Sequence, residues 1–478
     1  MLPELCVPDS KTINMYPTEH PVESIPYGSS LRQRSRMRGM LLRRKARSTR
    51  LEQWLLAAAV VFIPLENRIP NIAGFGVTFI VFGVLAWDIV LNRSQSLARI
   101  WLHPVFITAY ALLFVALFIE SAQPESSYRE IVRIALMITG AVLIATICVD
   151  RRALLASIIG YLIVGVAFSF LLFLTSYGAL SESSATDFAN ATNVREEVFL
   201  DNPLQVNLNE MAFVAAKGAV TALALLLCVA SSRQRLFFAC ISLLCMVAAF
   251  LPMSRGGIGA LVIASASVMF AHGVARGKTI IIGALIGAGV LIWVPHAVWS
   301  RIMFSTETNE DGKLEGRARV YTAAVEHFPE YALSGVGAGH FWGSWGMQSQ
   351  FQHRAGVAGS HNIYFQITIY WGFVVLIILM AVIWQAYRSF PKRCANDALA
   401  LSLVGISVSL LILTLVIHNL YSKEFSLGLG LIVGASTWIW PKGIVPAPSP
   451  RRMAVMTSVS RLAKRPRRFL ARFSSRRG

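Results

Sequence analysis

Residues 361–384 read HNIYFQITIYWGFVVLIILMAVIW, a His-Asn pair followed by 22 residues without a charge. A run of that length crosses the roughly 30 Å of hydrocarbon in a bilayer. Its apolarity is continuous rather than alternating, and every backbone N–H and C=O inside lipid needs an internal partner, so the run reads as a helix and not as a barrel strand. Comparable runs recur along the chain. In the first half they lie roughly at Leu51 to Leu65, Ile72 to Leu91, Pro104 to Ile119, Ile131 to Val149, Leu154 to Thr175 and Leu208 to Ala230. The second half adds Leu236 to Leu251, Gly257 to Phe270, Ile280 to Val294, Ile363 to Trp384, Leu399 to Ile417 and Phe425 to Trp440. The expected architecture is an all-α integral membrane protein of about twelve transmembrane helices, with a large helical loop between spans nine and ten.

Composition agrees. The 478 residues are 55% hydrophobic and only 14% charged, and the mean hydropathy is +0.57, which excludes an ordinary soluble globular protein. The net charge of +19 raises the question of nucleic acid, and the placement of the 44 Lys and Arg residues answers it. With the amino terminus inside, 32 of them fall in the two tails and the short inner loops, while acids such as Glu120, Glu125, Asp187, Glu196, Glu310 and Asp311 fall on the other side. The positive-inside rule then predicts both termini in the cytoplasm. The basic runs Leu31 to Arg50 and Arg451 to Arg477 hold almost no aromatics for base stacking, so they read as partners of anionic lipid and not of nucleic acid.

Three regions follow: a basic cytoplasmic tail over 1–50, expected to be disordered, a membrane domain over 51–440, and a second basic cytoplasmic tail over 441–478. No cleaved signal peptide precedes Leu51, so the first span is expected to do the targeting. The six cysteines lie in the tail, in spans or in an inner loop, and no disulfide framework is expected.

The outer side carries the elaboration, in loops over 176–206 and 296–361. The second holds five of the nine histidines and the cluster Gly335-Val336-Gly337-Ala338-Gly339. Within it, Gly316 to His327 reads as a short helix and the glycine cluster as a turn. Ser254-Arg255-Gly256-Gly257 follows Pro252 between two spans, which puts Arg255 at the outer edge of the hydrocarbon, on the side that the charge bias avoids. Snorkelling to lipid phosphate is the bland reading. The sharper one is a guanidinium fork gripping a substrate phosphate, with Gly256 and Gly257 allowing close approach. Lys217 is a buried cation with Glu210 seven residues earlier on the same helical face, and reads either as a structural pair with it or as a substrate contact. Asn362 either caps the tenth span or serves the site beside His361. His340, His353 and His361 have no metal-ligand spacing, so no metal is expected. Gly283 with Gly287, and Gly430 with Gly434, read as close helix contacts.

The motifs also form an ordered set. Asn209-Glu210-Met211-Ala212, Ser254-Arg255-Gly256, Gly316-Arg317 with Tyr321, His327 and Pro329, the glycine cluster with His340-Phe341, and His361-Asn362 through Gln366 together resemble the O-antigen ligase and polymerase superfamily, over roughly Leu51 to Trp440. The resemblance implies transfer of a glycan from an undecaprenyl-pyrophosphate carrier to an acceptor such as a lipid A core, at the periplasmic face of a bacterial inner membrane, with no cofactor. By matching position, Arg255 and Arg317 would engage the pyrophosphate and His361 the acceptor hydroxyl. Asn362, Arg319, Lys217, Asn209 and His340 complete the candidate set as substrate contacts. Ligases of the family resemble one another in a Gly separated from the His-polar pair by nine residues, here Gly372, and a Gly, Thr or Tyr three further on, here Val375. A polymerase joining repeat units of an O antigen or exopolysaccharide keeps the same layout. The rival from another class is a transporter or flippase, which would spread charges around a central site rather than gather them at one face.

Overall fold

A computed structural model describes residues 48–65, 76–123, 125–182, 207–273, 325–342, 362–390, 397–416 and 423–438. All secondary structure among them is helical: α1 (Arg50–Phe62), α2 (Val77–Asn92), α3 (Ser94–Trp101), α4 (Pro104–Ser121), α5 (Tyr128–Ile147), α6 (Arg151–Glu182), α7 (Leu208–Cys228), α8 (Ser232–Phe250), α9 (Arg255–His272), α10 (Phe328–Tyr331), α11 (Ala338–Trp342), α12 (Ile363–Ser389), α13 (Ala398–Val416) and α14 (Lys423–Trp438). Each predicted span except Ile280 to Val294, which lies outside the described residues, is helical over its described part, its ends aside. Eight of them are long and apolar enough to cross a membrane, or nine if the pair α2–α3, bent by 106° at its break, is one span. The remaining shortfall from twelve has a local cause among the described residues: α1 has 13 residues and α14 has 16. The predicted inner loop after Leu91 is largely helical, as the amphipathic α3, whose Trp101 stacks on Tyr110 at 4.9 Å.

The bundle is held by small residues where helices cross. The most deeply packed span is α7, an Ala-rich helix. A Cβ on its Gly218 would lie 2.8 Å from the Cα of Gly165 in α6, so only glycine at both positions permits this crossing. Along α5 and α14 the same device recurs, with Gly430 against Ala141 and Gly434 against Ala145, as the spacing predicted. Gly283 and Gly287 lie outside the described residues. Near this contact Ser426 Oγ donates to the Met137 carbonyl at 2.8 Å. Without a hydrophobic drive between helices in lipid, such close packing and buried polar contacts provide the association energy.

At the end of the bundle where α1 begins, Thr49 and Glu52 form a capping box, and Glu52 also takes a bidentate grip from Arg93. Ser48 donates to Asp150 Oδ2 through both its amide and its hydroxyl, at 2.6 and 2.7 Å. The opposite end carries the candidate site. Helices α4 and α12 run antiparallel between the two, bridged by Thr108 and Gln385 at one end and by Glu120 and Trp371 at the other.

Candidate functional site

Two groups of residues gather at the Glu120 end of the bundle. The first is built by α7 and α9. Their amino-terminal turns meet where Gly257 packs on Ala212, with a Cβ at Gly257 placed 2.4 Å from that of Ala212. The glycine expected to admit substrate instead admits α7, and this contact brings the Asn209 and Arg255 motifs side by side. Asn207 caps α7 by accepting from the Asn209 amide at 2.9 Å. Ser254 caps α9 by accepting from the Gly257 amide at 3.2 Å. Between α8 and α9 the buried Met253 has φ 52°, in the left-handed region that a non-glycine residue avoids.

Arg255 follows directly and is exposed at the first position of α9. Two features there work against folding. The left-handed residue costs of order 1–3 kcal/mol. A cation at the positive end of a helix dipole loses roughly 0.3–1 kcal/mol. A fold that retains both holds a guanidinium where an incoming anion meets its fork together with the amino-terminal end of α9.

The second group is a wedge. At Gly372 the backbone of α12 leaves the helical region, with φ 74° and ψ −176°, a conformation open essentially to glycine alone. The break strands backbone groups, and residues 332–337 take them up. The Phe373 amide donates to the Ala332 carbonyl, while the Ile369 and Tyr370 carbonyls accept from the amides of Val336 and Gly337, each at 2.8 Å. Irregular backbone within a span is tolerated where protein satisfies it in this way. The glycine cluster lies between this break and the α4–α5 connection: a Cβ at Gly335 would sit 2.3 Å from the Tyr370 carbonyl oxygen, and one at Gly339 would sit 1.8 Å from that of Glu125. The turn itself lies at 332–334, just before the cluster read as one; Gly335 to Gly337 follow without regular structure, and Ala338 and Gly339 open the short helix α11. Beneath it Tyr331 packs edge-on against Phe328, and burial pushes its phenol up to about 12.

The candidates distribute as follows. Asn362 is the cap of α12, accepting from the amides of Tyr364 and Phe365 at 2.9 and 3.3 Å. His340 is partly exposed on α11, its Nδ1 3.5 Å from Glu125 Oε2. Arg255 and Asn209 stand together in the first group, while His340 and Asn362 belong to the second. Lys217 corrects the expected pairing with Glu210: it is 1% exposed, and its Nζ lies 2.5 Å from Glu424 Oε2 of α14 and 5.6 Å from the ring centre of Tyr161. Arg317, Arg319 and His361 lie outside the described residues. Among those described, no three His, Cys, Asp or Glu side chains converge as metal ligands.

Sequence reasoning missed Glu120 and Glu424. Glu120 was counted only among outer acids, yet it is fully buried and accepts four hydrogen bonds. The available signal was a lone carboxylate ending an otherwise apolar run.

Residues 240–380 match the family model described as O-antigen ligase. No curated protein matches the chain. The matched segment runs from within α8 to within α12 and so contains Arg255, Arg317, Arg319, the glycine wedge, His361, Asn362 and the break at Gly372, but neither Glu120 nor Lys217. Over this segment, in an all-helical membrane-type fold, the chain is similar to the O-antigen ligase family, which supports the resemblance drawn from its motifs.

Proposed function

We propose that the protein is an O-antigen ligase-like glycosyltransferase. It moves a glycan from an undecaprenyl-pyrophosphate donor to an acceptor saccharide, such as a lipid A core, at the periplasmic face of the bacterial inner membrane, with both termini cytoplasmic. The observation that carries this reading is Arg255, exposed at the start of α9 behind a strained turn and inside the matched segment. Such a group suits a leaving pyrophosphate, on which negative charge grows as the bond breaks.

In the proposed step the acceptor hydroxyl oxygen attacks the anomeric carbon of the donor sugar. A carbon–oxygen bond forms there, the bond to the pyrophosphate oxygen breaks, and that electron pair leaves with the lipid pyrophosphate. His361 takes the hydroxyl proton. Arg255 and Arg317 neutralise the leaving group, which is the part a divalent cation plays in other pyrophosphate chemistry. Asn209 and Arg319 contribute to the donor side, and His340 and Asn362 to the acceptor side, where Asn362 also sets the start of α12. Lys217 acts through its pair with Glu424.

Purified protein given a lipid-pyrophosphate-linked oligosaccharide and a core-type acceptor is expected to form covalent product, also after chelator treatment, and His361→Ala is expected to abolish it. A His361→Ala protein with full transfer overturns the assignment. Val375, standing where ligases resemble one another in Gly, Thr or Tyr, favours the second reading, a repeat-unit polymerase. Envelope glycans of a deletion strain separate the two: surface lipid with no attached repeat marks a ligase, a single unextended repeat marks an O-antigen polymerase, and loss of secreted polymer alone marks an exopolysaccharide enzyme.

A further inference from the structure

Glu120 stands at the end of α4, outside the matched segment and outside every motif of the sequence. Its side chain is fully buried, and all four of its neighbours are donors. Oε1 accepts from the amides of Ser127 and Gly339 at 2.8 and 2.9 Å. Oε2 accepts from the Ala338 amide and from Trp371 Nε1 at 2.7 and 2.9 Å. One carboxylate thereby joins the α4–α5 connection, the glycine wedge and the residue beside the break in α12. Backbone bonds and the ring contacts of Phe328 with Phe373 and Phe341 with Tyr370 seat the wedge on α12, and Glu120 ties that assembly to the α4–α5 connection.

We propose that Glu120 is a positioning residue for the acceptor side of the site. It acts through the wedge, setting His340 and the amino-terminal half of α12 that begins at Asn362. The proposal rests on the glycosyl-transfer reading above. The chemistry makes an unusual demand on the position. Each carboxylate oxygen takes two N–H donors, so an amide in its place turns an NH2 group toward two of them. Glutamine, ordinarily a mild change, is therefore disruptive here, whereas Trp371→Phe removes one donor of the four and leaves the carboxylate satisfied by the rest.

The test uses full-length protein in detergent or nanodiscs. Hydrogen exchange over residues 335–341 reads the wedge whatever the protein catalyses. Exchange is expected to be slow in wild type and faster in E120Q, with W371F between them, and equal exchange in all three overturns the clamp. Transfer kinetics read the positioning. In E120Q, kcat/KM for the acceptor is expected to fall about 10- to 100-fold, as for displacements near 1 Å, with the KM for the lipid-linked donor nearly unchanged. W371F is expected to show the same split with a loss of a few-fold. If E120Q does not fold, W371F decides alone: an unchanged kcat/KM for the acceptor, or a donor KM that shifts along with it, overturns the proposal. Wild-type protein without transfer sinks the glycosyltransferase reading instead and leaves the clamp to be judged by exchange.

Discussion

Lys217 and Arg255 are both cations set into apolar helices, and the fold treats them in opposite ways. Lys217 is enclosed among Val60, Val164, Val214 and Leu427 with Glu424 against it. Arg255 is exposed at a helix start, behind a residue in a strained conformation. A buried charge needs a fixed partner to offset desolvation, and that partner keeps it from other work. A charge kept at the edge, on backbone that resists being there, is what an anionic substrate requires. The difference separates a cation that organises the bundle from one suited to chemistry.

The largest expected effect breaks the buried side of this comparison. Lys217→Met or Glu424→Gln alone leaves an uncompensated group and should destabilise the protein by about 3–5 kcal/mol. The double replacement Lys217→Met with Glu424→Leu should recover most of that, as read by thermal unfolding in detergent. A double variant no more stable than the singles would show that Lys217 is not chiefly a structural charge.

Next comes Arg255→Ala, expected to lower kcat about 10²- to 10³-fold, the size of losing one donor to developing charge. Thermal stability should hold or rise slightly, because a charge opposed by the α9 dipole is gone. Arg255→Lys keeps the charge and loses the fork, so only partial recovery is expected. A drop in stability that matches the drop in transfer would place Arg255 with Lys217.

Gly372→Ala forces a Cβ to within 2.1 Å of the Leu333 carbonyl oxygen, at φ 74°. Backbone strain alone amounts to roughly 1–3 kcal/mol, so lower stability and faster exchange over 332–337 are expected together. Asn362→Ala should be the mildest, about 1 kcal/mol from the lost cap, and Asn362→Asp should restore it. If Asn362→Asp recovers stability but not transfer, Asn362 also meets substrate.

The order and kind of most elements could be read from the chain, because the bilayer leaves the backbone one solution per apolar run. That is why runs such as Leu208 to Ala230 and Ile363 to Trp384 correspond to α7 and α12. The motifs at Asn209 and Arg255 were legible because polar groups at the ends of apolar runs stand out. Gly372 was visible as a spacing, though not as a break in a helix, since one glycine in a long apolar run most often marks a close contact.

What sequence alone determined, then, is the all-helical membrane class and the location of most helices, both of which follow from local hydropathy, while for phosphate and hydroxyl chemistry it supplied candidates. Partnership was decided only in three dimensions. Lys217 meets a carboxylate 207 residues away rather than seven, and Glu120 holds the start of α11, 218 residues downstream. Both pairings follow from desolvation: a buried polar group takes whichever partner the packing of helices brings within reach, and hydropathy along a chain carries no record of which helices those are.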